Sequence, residues 1–271
     1  MIFKINDGTE FNMNYEIIEN VVPQTTLFIH GNLSSNRWWY PSVEIWKSQA
    51  AGKSYKGHII LAEFRGCGLS SAPRSESEIN MRTLANDFLE LINHLDLQKL
   101  NLVGHSTGGI ISAIMLSKNK DLFNKIVLLD PIGPKGFKLP ISRMIAHEPM
   151  KFSKKLTEMA VGSIIHNNNY SDDFFKNVIV EDAYKAVKNI GSAVFKDVAN
   201  LDVSKEFKNI DNHVLVLHGE FDKFLPVDDS KLFASLFKNG DFMLVPNHGH
   251  CLNLEDPVKF CGIAGKFLFA L

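Results

Sequence analysis

Three cysteines, Cys67, Cys251 and Cys261, are all that the 271 residues contain. Their odd number and the lack of any CxxC spacing give no basis for a disulfide framework or a zinc site, and small apolar filler is the expected role. Charge of one sign is also missing. Lys and Arg number 29 against 30 Asp and Glu, a formal net charge of −1, so there is no broad positive field for a polyanionic backbone and no nucleic-acid partner is expected. Long apolar runs are absent too: nothing approaches the roughly 18 uncharged residues of a membrane span. Met1 to Phe11 carries Lys4, Asp7 and Glu10 and lacks the apolar stretch of a secretory signal, so no membrane association and a cytoplasmic location are expected. No repeat or low-complexity tract appears.

What is present is an ordinary globular composition, 45% hydrophobic and 22% charged, in a chain long enough for one large core with an insertion. Short runs rich in Val, Ile and Leu read as buried strands: Leu27 to Ile29, His58 to Ala62, Leu100 to Val103, Ile126 to Leu129, Val214 to Leu217 and Phe242 to Val245. Between them lie helical periods, such as Leu84, Phe88, Leu91, Ile92 and Leu95 on one face. This alternation predicts an α/β fold, a doubly wound, mostly parallel sheet covered on both faces. The stretch from Asp130 to Val214 holds no convincing strand and is too long for a simple connection. Helical patterns over Ile141 to His147, Phe152 to Ile165, Asp173 to Val187 and Ser192 to Leu201 predict a helical cap over 134–200, inserted into a core formed by 1–133 and 201–271. Ligands of open parallel sheets bind outside the carboxyl ends of the strands, where such an insertion would roof them.

Gly104-His105-Ser106-Thr107-Gly108 stands directly after a predicted strand and before an apolar helix, the context of a nucleophile elbow. Glycines are needed because a serine on so sharp a turn has a strained backbone with no room for flanking side chains. His105 should point away from the serine and serve packing. A serine hydroxyl needs a base within hydrogen-bond reach, and the base needs an acid. The candidate base is His250 in Asn247-His248-Gly249-His250, with His248 its rival; His94, His147 and His166 sit in helical segments as surface or packing residues. The candidate acid is Asp222 in Gly219-Glu220-Phe221-Asp222, with Asp130 the competitor and Glu220 a weaker alternative. The order Ser, Asp, His suits this geometry on a doubly wound sheet. Candidate oxyanion donors are the backbone amides of Thr107 and of Asn32 in His30-Gly31-Asn32-Leu33.

Together these residues resemble the α/β-hydrolase family, and within it the cap-bearing branch of serine esterases, lactonases and carbon–carbon bond hydrolases. Phe28 to Asn32 matches the family's oxyanion loop, Gly104 to Gly108 its elbow, Gly219 to Asp222 with Pro226 its acid loop, and Gly249-His250 with Glu255 and Pro257 its histidine loop. Arg65 to Ser70 matches a further loop, usually introduced by Asp two places before Arg; here that residue is Glu63, and a structural role is expected. The resemblance implies acyl-enzyme chemistry on a small, apolar carboxylic ester or lactone, without metal or cofactor, in a monomer or homodimer. It leaves a meta-cleavage type carbon–carbon hydrolase and a slow-turnover ligand receptor as alternatives. A serine nucleophile disfavours dehalogenase and epoxide hydrolase chemistry. Activity should fall with pH through the histidine range, since a protonated ring cannot act as base.

The substrate pocket is expected to draw on Trp38, Trp39, Phe137 and Met144. One of the tryptophans should serve packing. Phe137, Met144, Met150, Phe152, Met159, Phe174 and Phe175 are candidates for an apolar chamber, most of them fixing the cap to the core.

Overall fold

The computed structural model describes residues 1–5, 8, 10–48, 57–140 and 147–269. Met144 and most of the helix expected over Ile141 to His147 lie outside the described residues. Eight strands form one sheet: β1 (Ile2–Lys4), β2 (Asn12–Ile18), β3 (Val22–Ile29), β4 (Gly57–Ala62), β5 (Leu100–His105), β6 (Phe123–Leu129), β7 (His213–Gly219) and β8 (Asn239–Val245), in the order β1-β2-β4-β3-β5-β6-β7-β8. The six strands from β3 onward run parallel, in the register Leu27↔Leu102, Val103↔Val127 and Leu128↔Val216. β1 and β2 add an antiparallel edge, with Glu16 opposite Leu61.

Residues alternate across this sheet between two apolar layers. Leu27, Ile29, Leu102 and Leu128 face one core with the helices α2 (Met81–His94) and α3 (Thr107–Lys118). Phe28, Val103, Val127 and Leu217 face another with α1 (Tyr40–Ser48) and the last helix. A strand buried on both faces has no polar side to advertise, which is why the central strands read as continuous apolar runs. α2 begins where Asn80 accepts the Thr83 N–H, an N-cap. α3 is apolar all round because it packs between strands and α2.

Between β6 and β7 the described residues hold no strand. They form α4 (Lys154–Ile164), a π turn over Phe175–Ile179 leading into α5 (Val180–Ile190), and α6 (Ala193–Val198). α7 (Val227–Ser235), α8 (Leu252–Glu255) and α9 (Pro257–Phe269) complete the fold.

Glu63 closes the loop that follows β4. It accepts from the Asn14 side chain at 2.9 Å, from the Leu69 N–H at 2.7 Å and from the Asn36 N–H at 3.1 Å. A side chain at Gly68, where φ is +51°, would collide with that carboxylate. Two residues on, the fully buried Arg65 meets Asp87 through two bonds of 2.7 and 2.8 Å and Glu78 at 3.1 Å. Removing one member of a buried ion pair strands its partner, so Asp87→Ala should lower unfolding free energy by about 3–5 kcal/mol in denaturant titration. A loss below about 1 kcal/mol would show that the remaining partners of Arg65 satisfy the guanidinium.

Candidate active site

β3 has β4 on one side and β5 on the other, so the crevice at its carboxyl end is the switch point of the sheet. Gly31 and Asn32 follow β3, Ser106 follows β5, Asp130 follows β6, Asp222 lies past β7 and His250 past β8. Ser106 has φ +54° and ψ −114°, a strained turn for a residue with a side chain. The elbow survives because Gly104 and Gly108 allow close approach: a Cβ on Gly108 would sit 2.3 Å from the Ile29 carbonyl oxygen, and one on Gly104 2.3 Å from that of Gly108. The Ser106 N–H donates to the Leu129 carbonyl at 2.9 Å, pinning the turn to β6.

His250 and Ser106 line one cavity of about 420 Å³. His250 Nδ1 lies 2.7 Å from Asp222 Oδ2, and both side chains are buried. Asp222 Oδ1 accepts from the N–H groups of Phe224 at 2.7 Å and Leu225 at 3.1 Å. Burial alone would raise this carboxyl, but the facing imidazole and these hydrogen bonds hold it below the usual carboxylate range. Glu255 orders the histidine loop, accepting from the N–H groups of Gly249 and Cys251 at 2.6 and 3.1 Å. His248, the rival base, is half-buried; its ring bonds the Pro246 carbonyl and does not line this cavity. Glu220 accepts the Asn247 N–H and so ties the loop instead.

Asp130 is nearer to the centre than a plain turn residue would be. One of its oxygens lies within 4.8 Å of ligand atoms of both Asp222 and His250. Its Oδ1 accepts the Gly219 N–H at 2.8 Å, while its fully buried Oδ2 has no hydrogen-bond partner among the described residues. Burial and the neighbouring Asp222 charge push its carboxyl well up. Although these three residues cluster tightly enough to suggest metal ligands, His250 Nδ1 already faces Asp222 and Asp130 Oδ1 is held by Gly219.

Asn32 lines the cavity beside Gly31, and its side chain is turned into the loop, accepting the Leu33 N–H at 3.0 Å. Thr107 opens α3, so its N–H is one of the four that a helix leaves without an intrahelical partner. His105 does more than pack: it lines the cavity, and its Nε2 meets the His250 carbonyl at 2.9 Å. Burial lowers its pKa to about 3 and that of His30 to about 4, so both rings are neutral.

Of the expected pocket residues, Trp38 is on the cavity wall. Trp39 faces the other layer, against Phe28 and Phe260. Phe137 stands behind the wall, packed on Phe224 at 5.5 Å. Met150 reaches the cavity, while Phe152 and Met159 are exposed and Phe174 and Phe175 line a separate, more polar cleft. Leu139, Val161, Ile164, Phe195 and Phe224 also stand on the wall, with no local sequence signal to mark them. His147, expected as a surface or packing residue, is buried and lines the cavity.

Strand-end loops and the segment between β6 and β7 thus enclose an apolar chamber around Ser106 and the carboxylate-paired imidazole of His250. Such a set can pass a proton from hydroxyl to imidazole and hold the resulting charge. A profile of the alpha/beta hydrolase fold matches residues 26–257. A soluble epoxide hydrolase of Corynebacterium sp. (strain C12) is 29% identical over 114 residues, covering 40% of this chain and 39% of that enzyme's length. Among solved structures, the esterase RhEst1 from Rhodococcus sp. ECU1013 superposes with a TM-score of 0.81 at 20% identity, covering 100% of this chain and 98% of that one. The enol-lactonase from Burkholderia xenovorans LB400 gives 0.79 at 16% identity, covering 96% and 97%. No helix among the described residues is long and apolar enough to cross a membrane.

Proposed function

Because the chain belongs to the alpha/beta hydrolase fold family, we propose that it is a serine hydrolase that cleaves a small carboxylic ester through an acyl-enzyme on Ser106. The observation that carries this reading is the pairing of His250 Nδ1 with Asp222 Oδ2 at 2.7 Å in the cavity that Ser106 lines. Asp222 favours the tautomer with hydrogen on Nδ1, leaving Nε2 as the base. His250 takes the Ser106 proton as Oγ attacks the carbonyl carbon. The oxyanion rests on the N–H groups of Asn32 and Thr107, and His250 then protonates the departing alcohol. Water enters along the same route and releases the acid. The helical segment over 134–200 acts as the cap, supplying Leu139, Met150 and Val161 to a chamber that favours apolar substrates.

A Ser106-based ester also agrees with the absence of a carboxylate at the elbow, which alkyl-enzyme chemistry would need. The test is turnover of para-nitrophenyl esters from acetate to octanoate, with a fluorophosphonate label on the native protein. Turnover and labelling that both disappear in Ser106→Ala are expected. Labelling that persists in that variant would place the nucleophile elsewhere, and a folded wild type that neither turns over nor takes the label would remove the reading.

A further inference from the structure

Most side chains around the cavity are apolar, and the polar ones are largely engaged with the protein itself. The Asn32 side chain accepts the Leu33 N–H, His105 Nε2 meets the His250 carbonyl, and Ser163 Oγ donates to the Ala160 carbonyl at 2.7 Å. Ser106 and His250 belong to the reacting centre. His147 is buried, and burial holds its ring below the usual histidine range, so it brings no charge at neutral pH. Lys223 differs from all of these. Of the described residues that line the cavity it alone has a permanent charge, and it makes no hydrogen bond or ion pair among the described residues. The lysines of the segment above the cavity are paired instead, Lys151 with Glu148, Lys154 with Glu181 and Lys155 with Glu158. Lys223 directly follows Asp222, but both oxygens of that carboxylate are already held, Oδ2 by His250 and Oδ1 by the N–H groups of Phe224 and Leu225.

Among the lining residues only Ser163, on α4, and Lys223, past β7, are exposed, so these two mark the mouth of the cavity. A lysine lays its carbon stem along apolar surface and keeps its ammonium in water. At this mouth the charge therefore stands where the far end of an apolar occupant emerges. Resting on the acyl-transfer reading above, we propose that the substrate is an ester with an apolar body and a carboxylate at the end remote from the scissile bond, and that Lys223 receives this carboxylate at the mouth. The apolar body fills the chamber, while the carboxylate, costly to bury, stays in water beside the ammonium. One ammonium with no second cation on the wall matches a singly charged carboxylate; a phosphate calls for several donors. The contact is made at the exposed mouth and the reaction at the buried Ser106. It therefore holds ground state and transition state alike, and acts on KM rather than on kcat.

The test uses ethyl hemiesters of the dicarboxylic acids from adipate to sebacate, and acetates of ω-hydroxy acids of the same lengths. Each is compared with the same chain ending in a primary amide, by acid release in a pH-stat at low ionic strength. In the wild type, at least one carboxylate ester should exceed its amide counterpart by about fivefold in kcat/KM, the upper range for an exposed ion pair, and mainly through KM. The set that shows this preference identifies the acyl or the alcohol part as the carrier of the charge. In salt of about 1 M, where the screening length is about 3 Å, the preference should shrink towards unity. Lys223→Glu should reverse it and Lys223→Arg should keep it. Both results are ratios within one enzyme, so a general loss of activity cancels. No preference in either set, a preference that survives in Lys223→Glu, or one that salt leaves unchanged overturns the proposal while leaving Ser106 chemistry intact. If every ester is inert and Ser106 takes no fluorophosphonate, the acyl-transfer reading falls first and this inference with it.

Discussion

Asp222→Asn should lower kcat/KM for ester cleavage by about 10⁴-fold while the protein stays folded. The reason lies in what the asparagine would present. Asp222 Oδ1 is held by the Phe224 and Leu225 N–H groups, so the amide oxygen of an asparagine would take that place and turn its NH2 towards His250 Nδ1. Facing a donor, the ring would carry its hydrogen on Nε2, the nitrogen that must be empty to accept the serine proton. The loop bonds survive, so far-UV and near-UV circular dichroism should match the wild type.

Asp130→Asn is the necessary contrast, since its carboxyl is within 4.8 Å of the same pair. Its Oδ1 bond to Gly219 can be kept by asparagine, whose amide carries no charge into this buried place. Activity within a few-fold of wild type is expected. Stability should rise at pH 8: a carboxyl whose folded pKa is raised costs stability as pH climbs above its unfolded value near 3.9, and asparagine removes that cost. Should the two variants exchange these behaviours, Asp130 is the acid that orients His250.

Much of this arrangement was legible before any coordinates, and the parts that were not share a cause. Central strands announce themselves because both faces are buried, and the elbow announces itself because its glycines are sterically forced. Strands β1 and β2 were missed: β2 reads Asn-Met-Asn-Tyr-Glu, whose polar residues are satisfied by partners far along the chain, Asn14 by Glu63 and Glu16 by Tyr40. Trp38 and Trp39 sit on a single 3-10 turn, and adjacent residues there point to different layers, so only the packing decides which one meets the cavity. His147 reads as a surface or packing residue because one helical turn carries no signal of what covers it. The residues that build the cavity from the segment 134–200 answer to tertiary packing, which local periodicity does not encode.

Stability should fall between pH 6.5 and about 4, and the buried histidines drive the fall. His30 stacks on Phe64 at 4.3 Å with Nδ1 against the Gly31 carbonyl, and His105 lies against Trp39 and His250. Burial lowers their pKa values to about 4 and about 3 from 6.5. Below 6.5 the unfolded chain therefore binds two protons that the folded chain refuses. Stability from these rings is fully present above pH 6.5 and drains as pH falls, until His30 takes its proton near 4 and His105 near 3. Each refused proton is worth about 1.36 kcal/mol per pH unit, so the pair supplies up to about 2.7 kcal/mol per unit. His218, also lowered by burial, adds in the same sense, whereas Asp130 and Glu63, both raised by burial, act against it. The net slope is therefore shallower than the two rings alone would give. Urea midpoints measured from pH 7.5 to 4 should trace this fall, and His30→Gln should flatten it by about 1.4 kcal/mol per pH unit. A slope left unchanged by His30→Gln would mean that the folded protein protonates this ring as readily as the unfolded chain does.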